Sequence, residues 1–324
     1  MFDVTAIGEL LIDFTPAGNN QRGDLLFARN PGGAPANVLA ANSRMGGKTA
    51  FIGKVGKDSF GAFLRGTLEG IGISTEGLVI SETVNTTLAF VQLDHKGDRS
   101  FSFYRKPGAD MMLEPEEVNE LIIDNSHILH FGSVSLTDEP SRSATFHAVS
   151  LAKKKGCIIS YDPNYRPLLW DSAEKAKEQM LLGLTFADIV KVSEEEMILL
   201  TGEKDLVKGS MLLAEEGAAL ILVSMGAKGA CYRKGEIFGI LPAYDVNTID
   251  TNGAGDAFLG AVHYRIRGKQ LSDIRNMSKA ELENILSFAN AAGSLTTAKG
   301  GAITALPSLE EIEECMSKVP LLNY

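Results

Sequence analysis

Three short runs of apolar and β-branched residues mark the second half of the chain: CIISYDPN (157–164), DIVKVSEEE (188–196) and ALILVSMGAKG (219–229). Each ends in polar or glycine-rich residues and gives way to a segment with helical spacing of its apolar positions. Strands that alternate with helices in this way predict an α/β fold, a mostly parallel central sheet with helices on both faces. Two N-terminal stretches keep a different rhythm. TLAFVQLDHKGDRSFSFYR (87–105) alternates with period two around the turn DHKGD, and LIDFTPAGNNQRGDLLFARN (11–30) reads as two short strands around a loop. Both are predicted antiparallel hairpins. Strands that belong to no strand–helix unit form a small sheet of their own, so the pieces roughly within 11–30 and 86–106 are expected to pair over one edge of the main sheet as a lid. No repeat, low-complexity tract or linker divides residues 1–324, so one domain is expected, with the lid strands inserted in its α/β core. The C-terminal SLEEIEECMSK predicts a surface helix, with Ser308 and Glu311 in capping-box spacing.

Composition narrows the partners. With 44% hydrophobic residues in 324 the chain can bury an extensive core. Its net charge is −10 and no Lys/Arg-rich run stands out, so neither nucleic acid nor an acidic membrane surface is expected as a partner. The opening MFDVTAIGELLIDF carries Asp3, Glu9 and Asp13, unlike a signal peptide, and no apolar stretch approaches the ~20 residues of a membrane span. A cytoplasmic location is the expectation. Cys157, Cys231 and Cys315 are widely spaced and without metal-ligand spacing, so they are expected as reduced, structural thiols.

Four clusters carry candidate chemistry. In TIDTNGAGDAFLGA (248–261), Gly253, Ala254 and Gly255 precede an apolar run, an arrangement whose unpaired helix-start N–H groups can cradle an anion. Asp256 beside such a cradle repels an anion unless it takes a proton from a group attacking that anion, which is the layout of a general base for phosphoryl transfer. It is equally a first-turn aspartate favoured by the helix dipole. The string is neither a P-loop nor G-x-G-x-x-G. In NPGGAPANVLAANSRMGG (30–47), Gly32 and Gly33 could let a hydroxyl-rich substrate lie against backbone, with Asn37 as donor and acceptor and Asp13 as an acceptor pair for adjacent hydroxyls. A tightly packed helix is the plain alternative. In YDPNYRPLLW (161–170), Asp162 and Asn164 leave the carboxyl end of a strand, where α/β sheets bind ligands, and Arg166 follows; otherwise it is a proline-rich loop with a surface arginine. In VKVSEEE (190–196) and VSMGAKG (223–229), Glu196 could hold a water-bound Mg²⁺ and Gly226 admit a nucleotide, although a glutamate run is also an ordinary helix start.

Taken in order, GELLIDF, PGGAPANV, DPNYRPLLW and DTNGAGDAF resemble the ribokinase-like (PfkB) carbohydrate kinases over nearly the whole chain, and FSFYRKPGADMML (101–113) points within that family to the fructokinases. The resemblance implies ATP-dependent phosphorylation of a sugar, fructose to fructose 6-phosphate above all. A 2-keto-3-deoxygluconate kinase, which shares the third segment, and a catalytically silent sugar- or nucleotide-binding paralogue are the rivals. By position it implies Asp256 as the base and Gly253 to Gly255 as the anion hole, with Asp13, Gly32, Gly33 and Asn37 on the sugar; Arg166 is a further candidate for substrate binding. Phe101, Phe103 and Arg105 fall on the lid strand over the substrate, where aromatic alternation is also ordinary strand packing. Lys191, Ser193, Ser224, Gly226, Gly229 and Asn290 fall in nucleotide-binding segments. Glu196 is implied near Mg²⁺, with Ser193 where the family usually has asparagine. Asp250 and Asn252, the latter in place of a usual threonine, match a K⁺ site. The resemblance also implies a homodimer through the lid.

Overall fold

The computed structural model describes residues 1–93 and 99–322, the side chains of 92, 93 and 99–101 excepted. Among the described residues thirteen strands form two sheets: β1 Phe2–Ile7, β2 Leu11–Asn19, β3 Leu25–Gly32, β4 Thr49–Gly56, β5 Ile73–Ser81, β6 Leu88–Leu93, β7 Arg99–Tyr104, β8 Ser126–Gly132, β9 Ile158–Asp162, β10 Ile189–Ser193, β11 Leu220–Ser224, β12 Ala230–Lys234 and β13 Ile237–Leu241. The large sheet has nine strands in the order β13-β12-β11-β10-β9-β8-β1-β4-β5. From β11 to β5 all neighbours are parallel. The β12–β13 edge is an antiparallel hairpin that the sequence reading did not single out; its turn has Gly235 at φ 55°, a left-handed conformation glycine adopts without strain.

Side-chain alternation explains why helices cover both faces. On β11, Leu220 and Leu222 enter the core beneath the Ala34–Arg44, Ala254–Ile266 and Lys279–Thr297 helices, whereas Ile221 and Val223 enter the core on the other side. Both faces are apolar, as buried parallel strands require. All three cysteines are buried and unpaired, in line with their reading as structural thiols.

The second sheet, in the order β3-β2-β6-β7, is the expected lid. Each hairpin is antiparallel, while the seam between them, β2 to β6, runs parallel, because both hairpins leave the core in the same direction. The turn DHKGD lies outside the described residues. Phe14, Phe27, Phe90 and Tyr104 form an aromatic cluster on this sheet, with Phe14 and Phe90 stacked at 4.8 Å.

Strand order runs outward from β1 in both directions, to β4 on one side and β8 on the other, so the β1–β8 neighbourhood is a topological switch point. Asp162, Ser193 and Ser224 are the last residues of β9, β10 and β11, and Glu9 follows the carboxyl end of β1. Among the described residues, no helix is long and apolar enough to cross a membrane.

Candidate active site

Three cavities, of about 510, 300 and 520 Å³, meet at the turn Thr251–Asp256. This turn is built by backbone. Gly253 takes φ 74° as the residue capping the Ala254–Ile266 helix, and a Cβ there would press on Ala302 at 2.8 Å. Gly255 has another reason: its Cβ would stand 2.9 Å from Nζ of Lys191. The start of the helix therefore stands beside a cation, a setting that favours an anion.

Asp256, in the first turn of that helix, is 6% exposed. Asn37 Nδ2 donates to its Oδ2 at 2.8 Å and Asn164 Nδ2 approaches Oδ1 at 3.4 Å, so two amides from distant segments aim the carboxylate. Asn164 holds φ 48°, a left-handed conformation uncommon outside glycine. Burial raises the Asp256 pKa, the Asp162 charge adds to it, and Lys191, Asn37 and Arg166 oppose both. Lys191 is itself buried and paired with Asp162 at 2.8 Å. Burial alone would lower its pKa, but the charges of Asp162, Glu196 and Asp256 outweigh that and raise it. The pair thus sets the charge of the junction. Neither Asp162 nor Asn164 was assigned a role by the family comparison of motifs, although both stand in DPN.

The 510 Å³ cavity brings together Asp13, Gly33, Asn37, Phe103, Arg166, Gly253 and Asp256. The glycine pair works differently from the sequence reading: a Cβ on Gly32 would collide with the Asp13 carboxylate, and one on Gly33 with the Glu9 carbonyl. These glycines admit two acidic residues, and Gly33 also keeps φ 120°. Burial raises the Asp13 carboxyl to about 6 against the pull of Arg166. Arg105 is a correction. It does not line the cavity: the residue is 5% exposed, and its guanidinium donates to Asp110, Thr137 and the Val134 carbonyl, bracing the root of the lid. The same Asp110 accepts from Thr87 at the start of β6, so both ends of the second hairpin are tied to one carboxylate. The Phe101 side chain lies outside the described residues. Glu9, which also lines this cavity, was missed; its only sequence signal is its place in the same GELLIDF segment as Asp13.

Ser224, Gly226, Gly229 and Asn290 surround the second cavity together with Ala254 and Gly255. Gly229 sits at φ 91° against the Leu241 carbonyl, and Asn290 Nδ2 donates to the Leu241 and Pro242 carbonyls at 3.0 Å, so these residues shape a wall that backbone dominates. Lys191, Ser193 and Glu196 line the third cavity, between the other two. Ser193 caps the Glu194–Thr201 helix in a reciprocal capping box with Glu196, which accounts locally for a serine there. The second Glu196 oxygen accepts from Tyr165 N–H at 2.6 Å. Asp250 accepts from the N–H groups of Asn252 and Gly301, stitching the turn to the 300–302 loop.

This arrangement has relatives. The family described as pfkB family carbohydrate kinase matches residues 1–309. Fructokinase-1 of Zea mays is 44% identical over 321 residues, covering 97% of this chain and 98% of that one. The crystal structure of fructokinase with bound ATP from Xylella fastidiosa superposes with a TM-score of 0.91 at 34% identity, over 98% and 99% of the two chains. A fructokinase double mutant from Vibrio cholerae O395, in a form with fructose, ADP and potassium ion bound, gives 0.86 at 34% identity over 97% of each chain. The family match runs through residues 1–309, across both sheets of this fold, and the chain belongs to the pfkB family of carbohydrate kinases.

Proposed function

We propose that the protein phosphorylates fructose with ATP, giving fructose 6-phosphate and ADP. The observation that carries this reading is the placement of Asp256 where an acidic, hydroxyl-accepting cavity meets a cavity walled by backbone. The sugar occupies the first and the nucleotide the second, so the γ-phosphate reaches the cradle at Gly253 to Gly255. Asp256 takes the proton of the attacking hydroxyl as its oxygen bonds to the γ-phosphorus, and the bond to the β,γ-bridging oxygen breaks to release ADP. Lys191 and the helix N–H groups offset charge on the transferring phosphoryl. The lid, through Asp13 and Phe103, excludes water that would otherwise hydrolyse ATP.

Mg²⁺ fits the third cavity. Glu196, 8% exposed, spends one acceptor site per oxygen on backbone N–H groups and retains the rest. Among the described residues no cluster of three potential metal ligands occurs, which suits a cation that keeps its water and leans on substrate phosphates. When bound it would neutralise phosphate charge. A K⁺ ion would belong beside Asp250 and Asn252, and turnover in KCl against NaCl at fixed ionic strength tests it. Leu25, Leu26 and Tyr104 are exposed on the lid, the surface through which a homodimer would form; light scattering reads that directly.

The keto-acid reading loses an argument in this fold. Each Arg105 guanidinium nitrogen is hydrogen-bonded within the protein, and among the described lining residues Arg166 alone is cationic, its charge acting on Asp13. A neutral ketose suits that cavity. An ATPase-coupled assay over a panel of ketoses, aldoses and keto-acids tests the function: fructose is expected to give the highest kcat/KM, and a keto-acid above it would overturn the choice of substrate.

Two further outcomes follow from the geometry. Gly255→Val puts a side chain against Lys191, so turnover should fall by about 10²-fold, the scale of one lost oxyanion donor, while calorimetry finds fructose binding intact. Sugar affinity collapsing as turnover survives would place the cradle elsewhere. For Asp13, the ionised form accepts sugar hydroxyls and its pKa lies near 6, so fructose affinity should weaken as pH falls through about 6. In Asp13→Asn affinity is weaker throughout and that step is gone; a step that persists would assign it to another group.

A further inference from the structure

Glu9 is the acid of the acceptor cavity that phosphoryl transfer leaves unused. It lies on the crossing from β1 to the lid and is 4% exposed. One half of its carboxyl is fixed, since Oε1 accepts the Ala34 N–H at 2.9 Å. The other half is not: Oε2 is buried and has no partner, although Glu9 lines the same cavity as Asp13, Asn37 and Asp256. Asn37 repeats this arrangement within one turn of the Ala34–Arg44 helix. Its Nδ2 is spent on Asp256, and its Oδ1 is buried without a partner.

Buried acceptors left unpaired are rare, and two in one cavity, each with its other half pinned by the protein, call for a donor from outside. A cation of the protein does not supply it. Arg105, whose charge acts on Glu9, donates to Asp110, Thr137 and the Val134 carbonyl, and Arg166, the cation lining this cavity, donates to the Tyr165 carbonyl. Burial pushes the Glu9 carboxyl up to about 7, with its own backbone N–H and that of Ala34 opposing. Gly33 serves the same end, because any larger residue would displace the Glu9 backbone.

We propose that Glu9 is a sugar-recognition residue: its free Oε2 hydrogen-bonds to a hydroxyl of the acceptor sugar, and Asn37 Oδ1 takes a neighbouring one, so that this wall reads the hydroxyl pattern while Asp256 addresses the hydroxyl that is phosphorylated. The inference rests on the fructose reading and adds a specificity determinant to it. A sugar lacking the hydroxyl that Glu9 holds leaves both the site and the carboxyl unsatisfied, which is how polar sites reject deoxy analogues.

Glu9→Gln tests this, because glutamine keeps an acceptor for Ala34 N–H and changes only the free oxygen to an amide. In the full-length enzyme, KM for fructose is expected to rise about ten- to hundredfold, the scale of one lost hydrogen bond to a charged group. The kcat and the KM for ATP should stay within about twofold, the signature of lost uniform binding. With monodeoxy fructoses, the unaltered enzyme should penalise one analogue by the same factor, and Glu9→Gln should penalise that analogue no further. An unchanged fructose KM, or penalties that add for every analogue, overturns the proposal. If Glu9→Gln does not fold, Glu9→Asp is read the same way, and failure of both to fold assigns Glu9 to the architecture and overturns it. An unaltered enzyme that turns over no fructose sinks the substrate reading instead.

Discussion

Asp256→Asn is expected to lower turnover by about 10²–10⁴-fold, the contribution of a positioned general base, with fructose affinity and fold retained. The fold should survive because asparagine can still accept from Asn37 Nδ2, the 2.8 Å bond that orients the group. Stability should hold or rise. The folded-state pKa of Asp256 is raised above its unfolded value, so ionising it at neutral pH costs the native state free energy that a neutral amide does not. That cost is absent below the unfolded pKa and grows as pH rises toward the folded one. Coupled-assay turnover, fructose calorimetry and thermal melting separate these effects. Near-normal turnover with an unchanged melting point would remove Asp256 from the chemistry.

Lys191→Met should damage both stability and rate. Lys191 and Asp162 are 5% and 1% exposed, so solvent screens their 2.8 Å contact little, and removing one partner leaves a buried charge uncompensated. Such losses run to about 3–5 kcal/mol, enough to lower the melting temperature by several degrees. The second effect is on pH dependence. Lys191 is one of the groups holding the Asp256 pKa down, so without it the base protonates at higher pH and the acid limb of the kcat profile moves upward. A methionine variant that melts normally would show the pair to be energetically neutral. An acid limb that stays in place would deny Lys191 control of the base.

What could be read before folding was local. Period-two alternation in 87–105 identified the second lid hairpin, and the β-branched runs located β9, β10 and β11. The Gly253–Asp256 turn was legible because a left-handed cap and a first-turn carboxylate are written in consecutive residues. Arg105 shows where such reading stops. Its sequence position beside a lid strand suggested substrate contact, but the direction of its side chain depends on Asp110 and on the loop after β8, neither of which strand periodicity encodes. Ser193 shows the converse: a departure from the family pattern has a local cause, the capping box with Glu196, visible in the sequence as Ser-x-x-Glu.

The sequence by itself determined the elements, the two-faced apolar sheet and the backbone turn that carries Asp256, because each follows from side-chain periodicity or glycine conformation within a few residues. The tertiary structure decided the rest. Asn37 reaches Asp256 across 219 residues, Lys191 meets Asp162 because β9 and β10 are sheet neighbours, and Glu9 joins the cavity of Asp13 and Asn37 because β1 occupies the switch point. Those meetings fix which oxygens are shielded from water, and so which pKa values rise and which acceptors await a substrate; spacing along the chain carries no such information, since burial and charge are properties of the assembled neighbourhood.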